Sequence, residues 1–143
     1  MIAIGSDHGG YELKQKVIEY LNEQNIKFKD FGIFSNEPCD YPTIAEKVAK
    51  SVASQECKKG LLFCGTGLGM SIAANKIKNV RAVCSIDSFS VRHSRLHNNA
   101  NILCLGGRVI GPGLAIELIN VFLNTDFEGG RHQKRLDMIN NFK

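Results

Sequence analysis

Short apolar runs alternate with longer amphipathic stretches along the whole chain, and few folds satisfy that alternation. Ile2-Ala3-Ile4-Gly5, Ile26 to Phe31, Gly60 to Cys64, Arg81 to Ile86 and Ile102 to Leu105 read as five strands, each followed by helix-compatible sequence. The first helix carries Leu13, Val17, Tyr20 and Leu21 on one face. The second follows a loop containing Pro38 and Pro42 and repeats Ile44, Val48 and Val52 at four-residue spacing. Strands separated by helices pair in parallel and hide both faces under those helices. The pattern predicts an α/β fold: one three-layer α/β/α Rossmann-like domain over residues 1–143, with a five-stranded parallel sheet. An additional C-terminal helix is expected after Gly129-Gly130, with Leu136, Ile139 and Phe142 as its apolar stripe and Arg131 and Arg135 one turn apart.

Composition agrees with one globular domain: 143 residues, 43% hydrophobic and 22% charged. No apolar run is long enough to cross a bilayer, and the N-terminus lacks a basic segment followed by a signal-length apolar stretch. A cytoplasmic protein with no membrane partner is expected. The five cysteines are odd in number and show no C-x-x-C spacing, which suits reduced thiols, with Cys64, Cys84 and Cys104 buried in strands. A formal charge of +4 with scattered basic residues gives little support to a nucleic-acid partner. Arginines clustered near the C-terminus suggest a small anion instead.

In an open parallel sheet, ligands collect beyond the carboxyl ends of the strands, where loops diverge and backbone N–H groups are free. The candidates there are Asp7 and His8, Cys64 to Gly69, Asp87 and Ser88, and Gly106 to Arg108. Cys64 stands out, because oriented amides at the entry to a helix, here expected near Ser71, favour a thiolate. Gly65, Gly67 and Gly69 allow positive φ and close approach of the backbone to a ligand. Glycine also serves tight turns for steric reasons alone, so the loop by itself is weak evidence. A cysteine phosphatase loop would need arginine where Met70 stands, and a Walker loop would need a lysine that Leu68-Gly69-Met70-Ser71 lacks.

His93 and His97 have the i, i+4 spacing of two metal ligands, but no glutamate adjoins them and no third ligand is evident, so no metal is expected. His93 reads as a solvated helix residue. His97, followed by Asn98, Asn99 and Asn101, reads as the polar end of a helix facing a cleft. Arg131 and Arg135 open a helix, where cations oppose the dipole, and an anionic ligand would explain them.

Together these segments resemble the type B ribose-5-phosphate isomerases, a group that also includes allose-6-phosphate and galactose-6-phosphate isomerases. The likeness rests on Gly5-Ser6-Asp7-His8-Gly9-Gly10, Asp40-Tyr41-Pro42, Cys64 to Gly69, Ile72 to Lys76, Arg81-Ala82-Val83, His97-Asn98-Asn99 and Glu128 to Gln133. It implies an aldose–ketose isomerisation in the pentose phosphate pathway, through a cis-enediolate and without metal or organic cofactor. By the same resemblance Cys64 is the proton-transfer base, Thr66 assists ring opening, His97 is the acid/base at the ring oxygen, and Asp7 helps hold the sugar. The amides from Gly65 through Gly67 and Leu68 to Gly69 would face the enediolate, with Ser71 a further substrate-binding residue. His8, Arg131 and Arg135, with Arg108 as a further candidate, would take the phosphate, and Tyr41 and Asn98 would contact the sugar.

The resemblance further implies a homodimer with sites at its interface, His97 and Arg108 coming from the partner subunit; pairing into a tetramer is left open. Two departures from the pattern stand out. Many relatives have Asp where this chain has Asn99, and other branches carry a glutamate base near Met70, which leaves Cys64 as the base here. The competing readings are a hexose-phosphate isomerase and, from another class, a non-catalytic sugar-phosphate sensor.

Overall fold

The computed structural model describes residues 1–143 and contains all five expected strands: β1 (Ile2–Ser6), β2 (Phe28–Asp30), β3 (Lys59–Cys64), β4 (Ala82–Cys84) and β5 (Ile102–Gly106). They form one all-parallel sheet in the order β2-β1-β3-β5-β4. The edge strands β2 and β4 are three residues each, shorter than the apolar runs that announced them, because an edge strand pairs on one side only.

Alternation along the strands divides the core. Ile2, Ile4, Leu61, Phe63, Leu103 and Leu105 point to one face, under α1 (Tyr11–Glu23), α4 (Ser88–Leu96) and α5 (Pro112–Asn124). Ala3, Leu62, Cys64, Ile102 and Cys104 point to the other, under α2 (Tyr41–Ala53) and α3 (Leu68–Ala74). The three layers follow from period-2 strands meeting period-3.6 helices. Leu13, Val17 and Leu21 are buried as expected, and each contributes roughly 1.5–3 kcal/mol by leaving water.

Several local expectations are corrected. Pro42 lies inside the first turn of α2, where its missing N–H costs nothing. Helix α3 starts at Leu68 rather than near Ser71, because Gly67 at φ +83° turns the chain straight into it. Cys84 is only half-buried, whereas Cys57, outside any strand, is fully buried; all five thiols are free. The stripe expected on the C-terminal helix is buried only at Leu136 of α6 (Arg131–Asn140), with Ile139 48% exposed and Phe142, beyond the end of the helix, 78% exposed. Lys14, next to Leu13 on α1, is completely buried, its ammonium 2.9 and 3.0 Å from the Asp30 carboxylate and 2.5 Å from the Ile33 carbonyl.

The order of strands places the site. From β1 the chain moves outward to β2, and from β3 it moves the opposite way, so the loops after β1 and β3 part and leave a crevice at their carboxyl ends.

Candidate active site

Three of the four strand-end segments converge at that crevice. Asp7 follows β1, 7% exposed, and one of its carboxylate oxygens accepts from the Gly10 N–H at 3.1 Å. A Cβ on Gly9 would lie 3.0 Å from the Gly65 nitrogen, so the Asp7-to-Gly10 turn is packed directly on the Cys64 loop. The end of β5 ties to the same loop, with Gly107 N–H donating to the Cys64 carbonyl at 2.8 Å and Arg108 N–H to the Gly65 carbonyl at 3.0 Å. Arg108 then lays its guanidinium over Gly65 of its own chain and lines a cavity of about 390 Å³ with His8 and Asn36. Arg108 therefore reaches the Cys64 loop of its own chain, where the resemblance implies a contribution from the partner. The fourth segment serves structure, since Asp87 caps α4 by accepting from Ser90 N–H at 2.7 Å.

His8 is oriented by the loop after β2, its Nδ1 accepting from Cys39 N–H at 3.3 Å. An imidazole nitrogen that accepts from an amide carries no proton, so neutral His8 is protonated at Nε2 and presents a donor. Tyr41 opens α2 and places its ring over Gly69, where an added Cβ would meet ring carbon Cζ at 2.7 Å.

Cys64 ends β3, 5% exposed, and its Sγ accepts from Gly67 N–H at 3.0 Å. Leu68 N–H is likewise used inside the loop, by Thr66 Oγ1 at 3.2 Å. The Ser71 N–H donates to the Gly67 carbonyl at 3.2 Å, and its hydroxyl to the Leu68 carbonyl at 3.0 Å. The expectation that every amide from Gly65 to Gly69 faces a ligand is thus narrowed. The N–H groups of Gly65, Thr66, Gly69 and Met70 donate to nothing within the chain and are the ones free to meet an oxyanion.

His97, Asn98, Arg131 and Arg135 lie elsewhere. Helix α4 runs back from the carboxyl edge, so His97 at its end sits at the amino edge, where Glu128 N–H donates to the Leu96 carbonyl at 3.1 Å and brings α6 alongside. The His97 ring stacks on His132 at 4.1 Å between centroids and meets His93 edge-on at 4.9 Å, while His93 stacks on Phe89. Glu128 approaches both partners of the stack, 3.9 Å from His97 Nε2 and 3.4 Å from His132 Nε2. Asn98, Arg131 and Arg135 are exposed around this cluster.

Sequence reasoning assigned no role to Glu128 or to the buried His132; the one available signal was their i, i+4 spacing across Gly129-Gly130. Ligand atoms of His97, Glu128 and His132 lie within 4.8 Å of one another, near enough for an ion. The two rings are only 15° from parallel, however, so their lone pairs run side by side instead of meeting at a point.

Loss of hydration, the charge of His132 and those of His93 and Arg131 hold the His97 imidazole below its ordinary range, and Glu128 alone pulls it upward. Glu128→Gln removes that pull. The His97 titration, followed by NMR at the ring Cε1–H, is expected to move to lower pH in this variant; an unchanged or higher midpoint would overturn the assignment of Glu128.

The two clusters occupy opposite edges of one sheet. Ile102 opens β5 at the amino edge and Gly106 pairs beside Cys64 at the carboxyl edge, so the strand spans roughly 13 Å from one edge to the other. The residues expected to form one site thus fall into two clusters that do not meet within the chain.

The Ribose/Galactose Isomerase family model matches residues 2–139. The ribose-5-P isomerase B of Listeria innocua is 51% identical over 138 residues, spanning 96% of this chain and 93% of the relative. The crystal structure of a ribose 5-phosphate isomerase from Thermotoga maritima is similar with a TM-score of 0.96 at 49% identity, covering 99% of this chain and 97% of that one. The ribose-5-phosphate isomerase B of Mycoplasma genitalium, solved with bound ribulose-5-phosphate, is similar with a TM-score of 0.92 at 40% identity, covering 97% and 93%.

Proposed function

This chain belongs to the ribose/galactose isomerase family, and from that membership and its Cys64 loop we propose that it interconverts ribose 5-phosphate and ribulose 5-phosphate. The observation that carries the residue assignment is the buried Cys64 thiol at a strand end, beside four backbone N–H groups without partners. Once the sugar ring is open, the Cys64 thiolate takes the proton from C2. The electron pair moves to form the enediolate with its charge on O1, the hydroxyl proton passes from O2 to O1, and the thiol returns its proton to C1 as the carbonyl forms at C2. The free amides of Gly65, Thr66, Gly69 and Met70 meet the developing oxyanion, each such donor being worth about 3 kcal/mol. Thr66 and Asp7 orient the sugar, and Tyr41 walls the loop.

The rest of the chemistry needs a second copy of the chain. His97 is the acid/base at the ring oxygen, Asn98 contacts the sugar, and Arg131 and Arg135 share the phosphate with His8 and Arg108. His8 and Arg108 stand at one edge of the sheet and the other four residues at the opposite edge, so we place the site between two subunits of a homodimer. Exposed Leu68 and Ile72 beside one half, with Ile139 on α6 and Phe142 just beyond its end, support a buried contact there. The five free thiols support a reducing, cytoplasmic setting. A coupled assay with ribose 5-phosphate and allose 6-phosphate at equal concentration tests the substrate: a higher kcat/KM for the pentose is expected. Preference for the hexose would move the assignment to that branch, and binding of both without turnover would make the chain a sensor.

A further inference from the structure

A cavity of about 600 Å³ opens at the amino edge of the sheet, among the end of α2, the turn before β4 and the end of α4. Lys58, Lys59, Arg81 and Arg95 line it with Asn99 and Asn101, and no aspartate or glutamate does. None of the residues assigned to the substrate phosphate takes part.

Its cations are held by neutral oxygens. Arg95, only 6% exposed, donates from Nε to the Thr125 carbonyl at 3.0 Å and from Nη1 to the Ala100 carbonyl and to Asn99 Oδ1, the latter at 3.0 Å. Arg81 Nε donates to the Asn99 carbonyl at 2.8 Å, and Lys59 Nζ to the carbonyls of Phe122 and Leu123 at 3.2 Å each. That leaves both terminal nitrogens of Arg81, Nη2 of Arg95 and the Lys58 ammonium without an acceptor in the chain. Burying like charges without a counter-ion is costly. Lys59 shows the strain, its ammonium lowered to about 8 by burial and by Arg95, with Asp126 the one acid that opposes this.

We propose that this cavity binds a small polyanion of the phosphate class, at a site separate from the one that holds the substrate. Free guanidinium and ammonium donors on several walls suit a compact oxyanion of high charge. The wall contains no aromatic ring on which a base could stack. Arg81 and Arg95 both bond Asn99, which sits at φ +46° two residues beyond His97, so the occupant draws on the same two groups that anchor the His97-Asn98 loop. Position 99 also sets the charge: a carboxylate there would stand 3.0 Å from Arg95 Nη1 and supply the missing anion internally.

Calorimetric titration with pyrophosphate tests the site without depending on isomerase activity. Arg131→Ala/Arg135→Ala removes two of the proposed substrate-phosphate ligands, and one pyrophosphate per chain is expected to bind this variant still. Adding Lys58→Glu, at an exposed side chain with no partner to lose, is expected to weaken that binding about tenfold or more, as is Asn99→Asp. Lys58→Glu alone is expected to leave the KM for ribose 5-phosphate unchanged. The proposal is overturned if pyrophosphate fails to bind wild type, if binding disappears with Arg131 and Arg135, or if it ignores Lys58→Glu.

Discussion

Cys64→Ala is expected to lower kcat by about a thousandfold while ribose 5-phosphate still binds, because general acid–base groups contribute roughly 10²–10⁴ to rate. The substitution removes one sulfur atom from the α2/α3 side of the core and leaves the amides of Gly65, Thr66, Gly69 and Met70 in place. The phosphate ligands are untouched, so the dissociation constant measured calorimetrically should change by no more than a few-fold. Cys64→Ser sharpens the test. Serine can keep the hydrogen bond from Gly67 N–H, but an alcohol holds its proton far more tightly than a thiol does, so this variant should also be inactive. The loop carries no carboxylate to take over: Met70 follows Gly69, and Asp7, whose turn packs on the loop, is already bonded to Gly10. Full turnover in either variant would remove Cys64 from the reaction and leave the loop as an oxyanion cradle alone.

What could be read without the structure follows from how local each signal is. Cys64, Asp7 and His8 stood out because a strand end followed by glycine is a pattern within a few residues, and the open-sheet rule gives such ends a meaning. The helix faces of α1 and α2 were legible for the same reason. Lys14 was not, since its neighbour Leu13 shares the inward arc of α1 and nothing in the sequence marks Asp30 as the group awaiting it. Glu128 and His132 gain their role only when α6 docks against the end of α4 and His132 slides under His97. The division into two halves is a property of topology: a helix that starts at one edge of a parallel sheet must end at the other. His97 follows α4 and so cannot share an edge with Cys64.

That division leads to the second large effect. In the proposed two-fold dimer each site takes Cys64 from one subunit and His97 from the other. His97→Asn should cost about a hundredfold in kcat for the loss of a proton-transfer group, and Cys64→Ala more, so each variant alone is nearly inactive. Mixed and allowed to exchange, they should regain activity. In a dimer of one Cys64→Ala and one His97→Asn chain, one site collects both defects and the other collects neither. Random exchange makes half of the dimers mixed, and half of their sites are intact, so recovery should approach about a quarter of wild-type specific activity. Were His97 to act beside the Cys64 of its own chain, every site in the mixture would carry one defect and no activity would return. The placement of Cys64 and His97 at opposite ends of a sheet whose strand β5 is about 13 Å long favours the first arrangement. Activity that stays at the level of the parents after verified exchange would therefore overturn the shared site and, with it, the dimer as the catalytic unit.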